Sequence, residues 1–128
     1  MKTNYKLAIA LVSGVAIGAA AVQGLHAQAK PPAYVIAEID VTNQDGYAKE
    51  YAPIAGKALR DGGAKNIALG GKTLSLEGAP PKSRVSINEF ESMEKAQAAF
   101  TSAAYKEARN IGDKYATFRL FVVEGVTK

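Results

Sequence analysis

Two ionisable side chains of opposite charge, Glu38 and Arg84, lie in stretches of alternating polarity that are typical of β-strands. If the strands formed by residues 34–41 and 84–90 pair antiparallel, Glu38 faces Arg84 or Asn88 across the sheet. A carboxyl in such a partly enclosed position is a candidate general acid or base, and a neighbouring guanidinium can bind an oxyanion. Glu38 and Arg84 are therefore the candidate catalytic residues.

Four further residues are candidates for ligand binding: Tyr34, Ile36, Asn88 and Tyr105. The two tyrosines would position a substrate, and the other two would lie on the strand face that carries the charged pair. The structural interpretation is that the charged pair is an ion pair that satisfies buried polar groups at a dimer interface. We favour it over catalysis because such ion pairs are common where no reaction takes place.

The first strand, residues 34–41, has one apolar face and one face that carries two acids. Side chains alternate along a strand, so the apolar set points to the core and the acids point away from it. The core set is Val35, Ala37, Ile39 and Val41, and the open set is Tyr34, Ile36, Glu38 and Asp40. We expect the strand at residues 84–90 to add Arg84, Ser86 and Asn88 to the open face.

Helical periodicity after the first strand predicts a helix that carries Tyr47 and Tyr51 on its apolar side. We interpret both tyrosines as core residues. Pro53 predicts a kink near Tyr51 or a restart with the proline in a first turn, and Gly62-Gly63 ends the helix. A second strand is predicted over residues 65–69, with residues 73–76 as its hairpin partner or as a bent, bulged continuation.

The second half of the chain predicts two more helical segments and a final strand. Ser92 caps a helix, and Ser102 starts a short one that Gly112 ends. Residues 117–124 form the last strand, which is apolar on both faces. Because an open sheet face is normally polar, this strand indicates that a second subunit covers it.

The order strand, helix, strand, strand, helix, strand predicts an α+β fold of the ferredoxin-like β-α-β-β-α-β type. Two right-handed β-α-β crossovers give a four-stranded antiparallel sheet in the order 4-1-3-2, with the helices on one face. The open face is left for a second copy of the chain, so we expect a homodimer.

Composition narrows the classes of function. The chain has 128 residues, 48% hydrophobic and 22% charged, which suits one globular domain. It has no cysteine, and its one histidine, His26, lies in the predicted leader, so we predict neither a metal nor a cofactor. The formal charge of +4 falls to +2 once Lys2 and Lys6 are removed with the leader, which argues against nucleic-acid binding.

Residues 1–29 are predicted to be a signal peptide and the start of a linker. An apolar run follows Lys2 and Lys6, and small residues end it, so we expect cleavage after Ala27 or Ala29. The alternative is an uncleaved anchor, although the run is shorter than the ~20 residues that span a membrane. Either way the single domain at residues 33–126 is exported, periplasmic or secreted, and a cleaved form has no membrane contact.

Short motifs distributed over the chain carry a family resemblance. They are residues 34–41, Tyr47 with Tyr51, Gly62-Gly63, Gly70-Gly71-Lys72, Leu76-Glu77-Gly78, residues 84–90 with Ser92-Met93-Glu94, residues 102–105 and residues 122–125. In order and spacing they resemble the bacterial family called domain of unknown function 1330.

The resemblance implies a ferredoxin-like dimeric α+β barrel. That superfamily includes small monooxygenases, muconolactone isomerases and heme-degrading enzymes, while the family itself has no settled activity. Leu69 stands where members often carry an arginine, and Gly112 stands where they often carry a basic residue. Both departures weaken the case for an anionic ligand held by arginines.

Three hypotheses for function follow. The first is a cofactor-independent enzyme that acts on a small, partly apolar molecule by proton transfer or oxygen chemistry. The second is a non-catalytic module that binds a small molecule in the same pocket, between the sheets of a dimer. The third is a purely structural dimer whose interior is filled by side chains.

Overall fold

The structure, a computed structural model, describes residues 30–127. Its strands are β1 (Ala33–Val41), β2 (Lys65–Leu69), β3 (Arg84–Phe90) and β4 (Ala116–Glu124). Helix α1 consists of three consecutive segments, Gln44–Gly46, Tyr47–Tyr51 and Ala52–Asp61. Helices α2 (Met93–Phe100) and α3 (Ala103–Gly112) lie between β3 and β4. The predicted signal peptide lies outside the described residues.

The four strands form one antiparallel sheet in the order β2-β3-β1-β4. This is the predicted order 4-1-3-2 read from the opposite edge, so the predicted ferredoxin-like α+β class is confirmed. Between residues 30 and 127, no helix is long and apolar enough to cross a bilayer.

The helices cover one face of the sheet. On β1 the alternation is as predicted: Ala33, Val35, Ala37 and Ile39 are buried beneath the helices. One core cluster joins this face to α1 and α3 through Tyr47, Tyr51, Tyr105 and small alanines. A second cluster joins it to α2 around Phe90, which is 1% exposed. The alanines let the helices approach the sheet closely, and the aromatic rings fill the space between them.

Helix α1 contains a turn of π-helix over Tyr47–Tyr51, immediately before Pro53. There the Ala52 N–H donates to the Tyr47 carbonyl, five residues earlier. Proline has no N–H and its ring clashes with the carbonyl four residues earlier in an α-helix, so the wider turn accommodates it. Of the two predicted alternatives, the structure shows the restart, with Pro53 in the first turn of the following α-helical segment.

Strand β2 pairs only with β3 and contains a bulge between Asn66 and Ala68. The prediction of strand structure at residues 73–76 was wrong, because residues 70–83 form an extended loop without strand structure. Leu74 and Leu76 are 80% and 86% exposed in it. Their alternation resembles a strand, but nothing in the described part of the chain pairs with it.

Strand β3 turns its polar side chains toward the helices, contrary to the prediction. Ser86 and Asn88 are buried, and Phe90, in phase with them, is the anchor of the second core cluster. The register places Arg84 opposite Ile39, whereas Glu38 lies opposite Val85. The expected contact of Glu38 with Arg84 or Asn88 is therefore wrong, because those side chains project from opposite faces of the sheet.

Candidate functional site

A cavity of about 130 Å³ lies between the sheet and the helices. Its floor comes from β1, β2, β3 and β4 and its roof from α1, α2 and α3. The polar residues that line it are Tyr47, Tyr51, Arg60, Asn66, Arg84, Ser86, Asn88 and Tyr105, and the apolar ones include Ala37, Ile39, Leu69, Phe100 and Leu120. Burying this many polar groups costs free energy unless each of them has a hydrogen-bond partner.

Two polar atoms of residues that line this cavity are buried without a hydrogen-bond partner: Nε of Arg84 and Oδ1 of Asn88. Leaving a buried donor or acceptor unpaired costs roughly 1–3 kcal/mol, and more for a charged group. One atom is a donor and the other an acceptor, so a bound molecule that satisfies both needs an acceptor oxygen and a donor of its own.

Gly70 makes room for the guanidinium of Arg84 at the end of β2. A Cβ atom at Gly70 would lie 2.1 Å from Nη1 of Arg84, and Gly70 has a φ of +67°, which disfavours other residues. Across the cavity the guanidinium carbon lies 5.4 Å from the centroid of the Tyr47 ring. The guanidinium of Arg84 thus lies between the backbone of Gly70 and the ring of Tyr47.

Three tyrosines line this interior, and raised pKa values keep their hydroxyls protonated at neutral pH. Burial raises the pKa of Tyr51, and its hydrogen bond to Tyr105 raises it further. Burial also raises the pKa of Tyr105, although the hydrogen bond that Tyr51 donates to it lowers that pKa in part. Burial likewise raises the pKa of Tyr47, and the nearby Arg84 lowers it in part. At neutral pH the three phenols are hydrogen-bond donors rather than bases.

The ring of Tyr51 fits against Gly112 at the end of α3. A Cβ atom at Gly112 would lie 2.7 Å from Cδ2 of Tyr51 and 3.0 Å from Cζ of Phe118. Arg109 stacks on the other aromatic ring, with its guanidinium carbon 3.8 Å from the Phe118 centroid. Gly112 therefore provides the space that the ring of Tyr51 needs.

The charge of the cavity is positive. Arg60 and Arg84 line it, and among the described residues no aspartate or glutamate does. A cavity with arginine and phenol donors and no carboxylate favours an oxyanion or a strongly polarised carbonyl oxygen. Two arginines thus remain available to an anionic ligand despite Leu69 and Gly112.

Of the six residues predicted for the site, the structure brings three together: Arg84, Asn88 and Tyr105. Glu38, Tyr34 and Ile36 lie on the open face of the sheet, away from this cavity. There Glu38 forms an ion pair with Arg119, its neighbour on β4, and accepts a hydrogen bond from the Lys82 N–H at 3.3 Å. Glu38 therefore forms an ion pair with Arg119 and not with Arg84, and the dimer interface predicted around it stays a prediction.

Sequence reasoning missed Tyr47, Tyr51 and Ser86 as site residues. The two tyrosines were assigned to the core, where they do lie, but both also line the cavity. Phe90 was the available signal: it is in phase with Ser86 and Asn88, so placing Phe90 in the core places them there too.

A larger apolar groove, about 370 Å³, lies beside the cavity between α2 and β4. Its walls are Val35, Met93, Ala96, Gln97, Phe100, Thr101, Tyr105, Leu120, Phe121 and Val122. No charged residue of the described chain lines it. Phe100, Tyr105 and Leu120 border both spaces.

The described residues, 30–127, contain no cluster of three or more histidine, cysteine, aspartate or glutamate side chains that could hold a metal ion. The chemistry available at the cavity is hydrogen bonding by phenols, guanidinium groups and amides.

Comparison with protein families matches residues 32–126 to the family described as Domain of unknown function (DUF1330). Comparison with curated proteins found no match. A structure of a protein of unknown function from Rhodopseudomonas palustris is similar, with a TM-score of 0.62 and 18% identity over 77% of this chain and 85% of the other.

Two further solved structures share the fold. SnoaB, a cofactor-independent oxygenase from Streptomyces nogalater, has a TM-score of 0.53 at 12% identity, covering 77% of this chain and 96% of its own. An EthD-like protein from Ralstonia eutropha has a TM-score of 0.50 at 21% identity, covering 74% and 92%. At these identities the similarity shows the fold alone.

Proposed function

Because the chain belongs to the domain of unknown function 1330 family, whose description assigns no activity, we propose a function from its cavity: the protein binds a small organic molecule that carries an oxyanion. One observation supports this most directly. Nε of Arg84 and Oδ1 of Asn88 are buried without a hydrogen-bond partner, and both residues line the same cavity. A ligand oxygen on Arg84 and a ligand donor on Asn88 would satisfy both atoms and recover the cost of burying them.

Arg84→Gln tests this proposal, with Arg119→Gln as the matched control on the opposite face of the sheet. The ligand is first identified by native mass spectrometry of the purified protein, and its affinity is then measured by calorimetry. A charge-assisted hydrogen bond contributes roughly 1.5–3 kcal/mol, so we expect Arg84→Gln to lower the affinity roughly 10- to 100-fold. The control should retain wild-type affinity. Equal affinity in both variants would refute the proposal.

Catalysis is the second candidate, of the cofactor-independent oxygenase or proton-transfer type. Donors that hold a ligand oxyanion also stabilise the enolate form of a bound carbonyl compound, which is the electron-rich form that such chemistry requires. The shared fold with a cofactor-independent oxygenase is in keeping with this. Glu38 faces away from the cavity, so Glu38→Gln should leave turnover unchanged, whereas Tyr105→Phe should slow it.

We propose in addition that the domain works as an exported homodimer. The open face carries Ile36, Ile87 and Phe121 in one cross-strand row, and packing against a second copy would cover it. Fractionation of cells that express the full chain would locate the protein in the periplasm or the medium. N-terminal sequencing of that material would show cleavage after Ala27 or Ala29, and an intact N-terminus would contradict the leader.

A further inference from the structure

We propose that the ligand is an amphiphile, with its oxyanion end in the cavity and its apolar part in the groove between α2 and β4. This inference rests on the proposed function and adds the chemical class of the molecule. It starts from the contrast between two adjoining spaces, one of about 130 Å³ lined by phenols and arginines and one of about 370 Å³ lined by apolar side chains.

Three side chains are common to the walls of both spaces. Phe100 of α2, Tyr105 of α3 and Leu120 of β4 border both, and each comes from a different element. The ring of Phe100 meets that of Tyr105 edge-on, at 4.7 Å between centroids. Phe100 and Leu120 are half-buried, whereas Tyr105 is buried, so rotation of the first two side chains is what would open a passage. Side-chain rotation of this kind is fast compared with ligand exchange and would join the groove to the cavity.

The groove is suited to an apolar occupant. Met93, Phe100, Leu120 and Val122 are half-buried and present apolar surface to it, while Val35 and Ala96 close its base. Covering such surface is favourable by about 25 cal/mol per Å². The arginines that line the cavity are absent from the groove. A ligand with a polar end and an apolar end therefore fits the cavity and the groove in one orientation only.

Straight-chain carboxylates from acetate to dodecanoate, titrated into the full chain by calorimetry, test the proposal. Affinity should increase about fourfold for each added methylene while the chain extends into the groove, and then level off. Arg84→Gln should lower the affinity for every chain length by a similar factor, because it removes the contact to the head alone.

A second experiment places a negative charge in the groove. Met93→Glu should lower the affinity for decanoate at least tenfold and leave that for butyrate unchanged. Ala98→Glu is the matched control, since Ala98 is exposed on the same helix, does not line the groove and undergoes the same change of charge.

The possible failures are distinguishable. Binding of carboxylates that depends on Arg84 but not on chain length would refute the amphiphile and leave the oxyanion cavity intact. Binding of decanoate that ignores Arg84 would also refute it, because the tail would then bind without its head. If no carboxylate of any length binds, the amphiphile is refuted, and a failure to recover any oxyanion from the native protein would refute the cavity proposal as well.

Discussion

At the scale of single residues, the cavity depends on phenols that stay protonated. Tyr51, Tyr105 and Tyr47 are buried, and burial raises the pKa of each. Their hydroxyls therefore donate hydrogen bonds over the whole physiological range of pH. A site built from such donors and from arginine has no titrating group near pH 7, so we expect ligand affinity to be flat across neutral pH.

Stability in alkaline solution should reveal the same tyrosines. An unfolded tyrosine ionises near pH 10, while a buried one remains protonated, so above about pH 10 the folded state binds more protons and the free energy of unfolding falls. Each tyrosine contributes at most about 1.4 kcal/mol per pH unit. Urea unfolding between pH 8 and pH 11 should show this decline, and Tyr51→Phe should reduce its slope. If Tyr51 ionised near pH 10 in the folded protein, as an exposed tyrosine does, the raised pKa of Tyr51 would be wrong.

Gly112 provides a second test at this scale. Gly112→Ala places a methyl group against the buried ring of Tyr51 and against Phe118, and overpacking of this kind costs about 1–3 kcal/mol. Gly56→Ala is the control, since its methyl group meets only the flexible end of Arg60. It should stabilise helix α1 by about 0.5–1 kcal/mol. Urea unfolding of both variants decides, and equal effects would be evidence against a tight Tyr51 contact.

At the scale of elements, prediction was reliable where the pattern was local. Residues 34–41 alternate cleanly and form β1 as expected, and Ser92 and Ser102 cap helices as expected. Prediction failed on β3 because Val85 and Ile87 on one face competed with Phe90 on the other. Only the packing of Phe90 under α2 decides which face is buried, and that is a tertiary contact.

The cap at Ser102 links two helices. Its hydroxyl accepts from the Tyr105 N–H at 3.2 Å and donates to the Ala99 carbonyl at 2.7 Å, so it joins the end of α2 to the start of α3. Ser102→Ala should cost about 1 kcal/mol of stability. Ser75→Ala, in the exposed loop, is the control and should have no measurable effect on the urea midpoint. A midpoint unchanged by Ser102→Ala would mean that the cap contributes nothing.

At the scale of the whole molecule, the sequence was sufficient to predict the topology but not the position of the cavity. Strand order followed from element order and the handedness of the crossovers. The pocket predicted between the sheets of two subunits stays a prediction, and the cavity of about 130 Å³ lies under the helices of a single chain. Its polar lining comes from β2, β3, α1 and α3, residues far apart in sequence, and no local pattern brings them together.

The open face yields a prediction about assembly. Phe121 and Val123 are 44% and 48% exposed on β4, which is a large apolar surface for a sheet in contact with water. Sedimentation at micromolar concentration should show a dimer, and Phe121→Glu should convert it to a monomer. Ile54→Glu is the control, because Ile54 is 45% exposed but lies on the helical side. A monomeric wild type, or a monomeric Ile54→Glu, would contradict the face-to-face dimer.

The contact between Gly70 and Arg84 makes the cavity depend on a residue that does not line it. A side chain at residue 70 would occupy the place of the guanidinium, which can move aside because it is the flexible end of a long side chain. Replacing Gly70 would therefore displace the guanidinium of Arg84 without changing any residue that lines the cavity. An arginine at position 84 is therefore not sufficient for the site, because it reaches its place beside Tyr47 only when position 70 is a glycine.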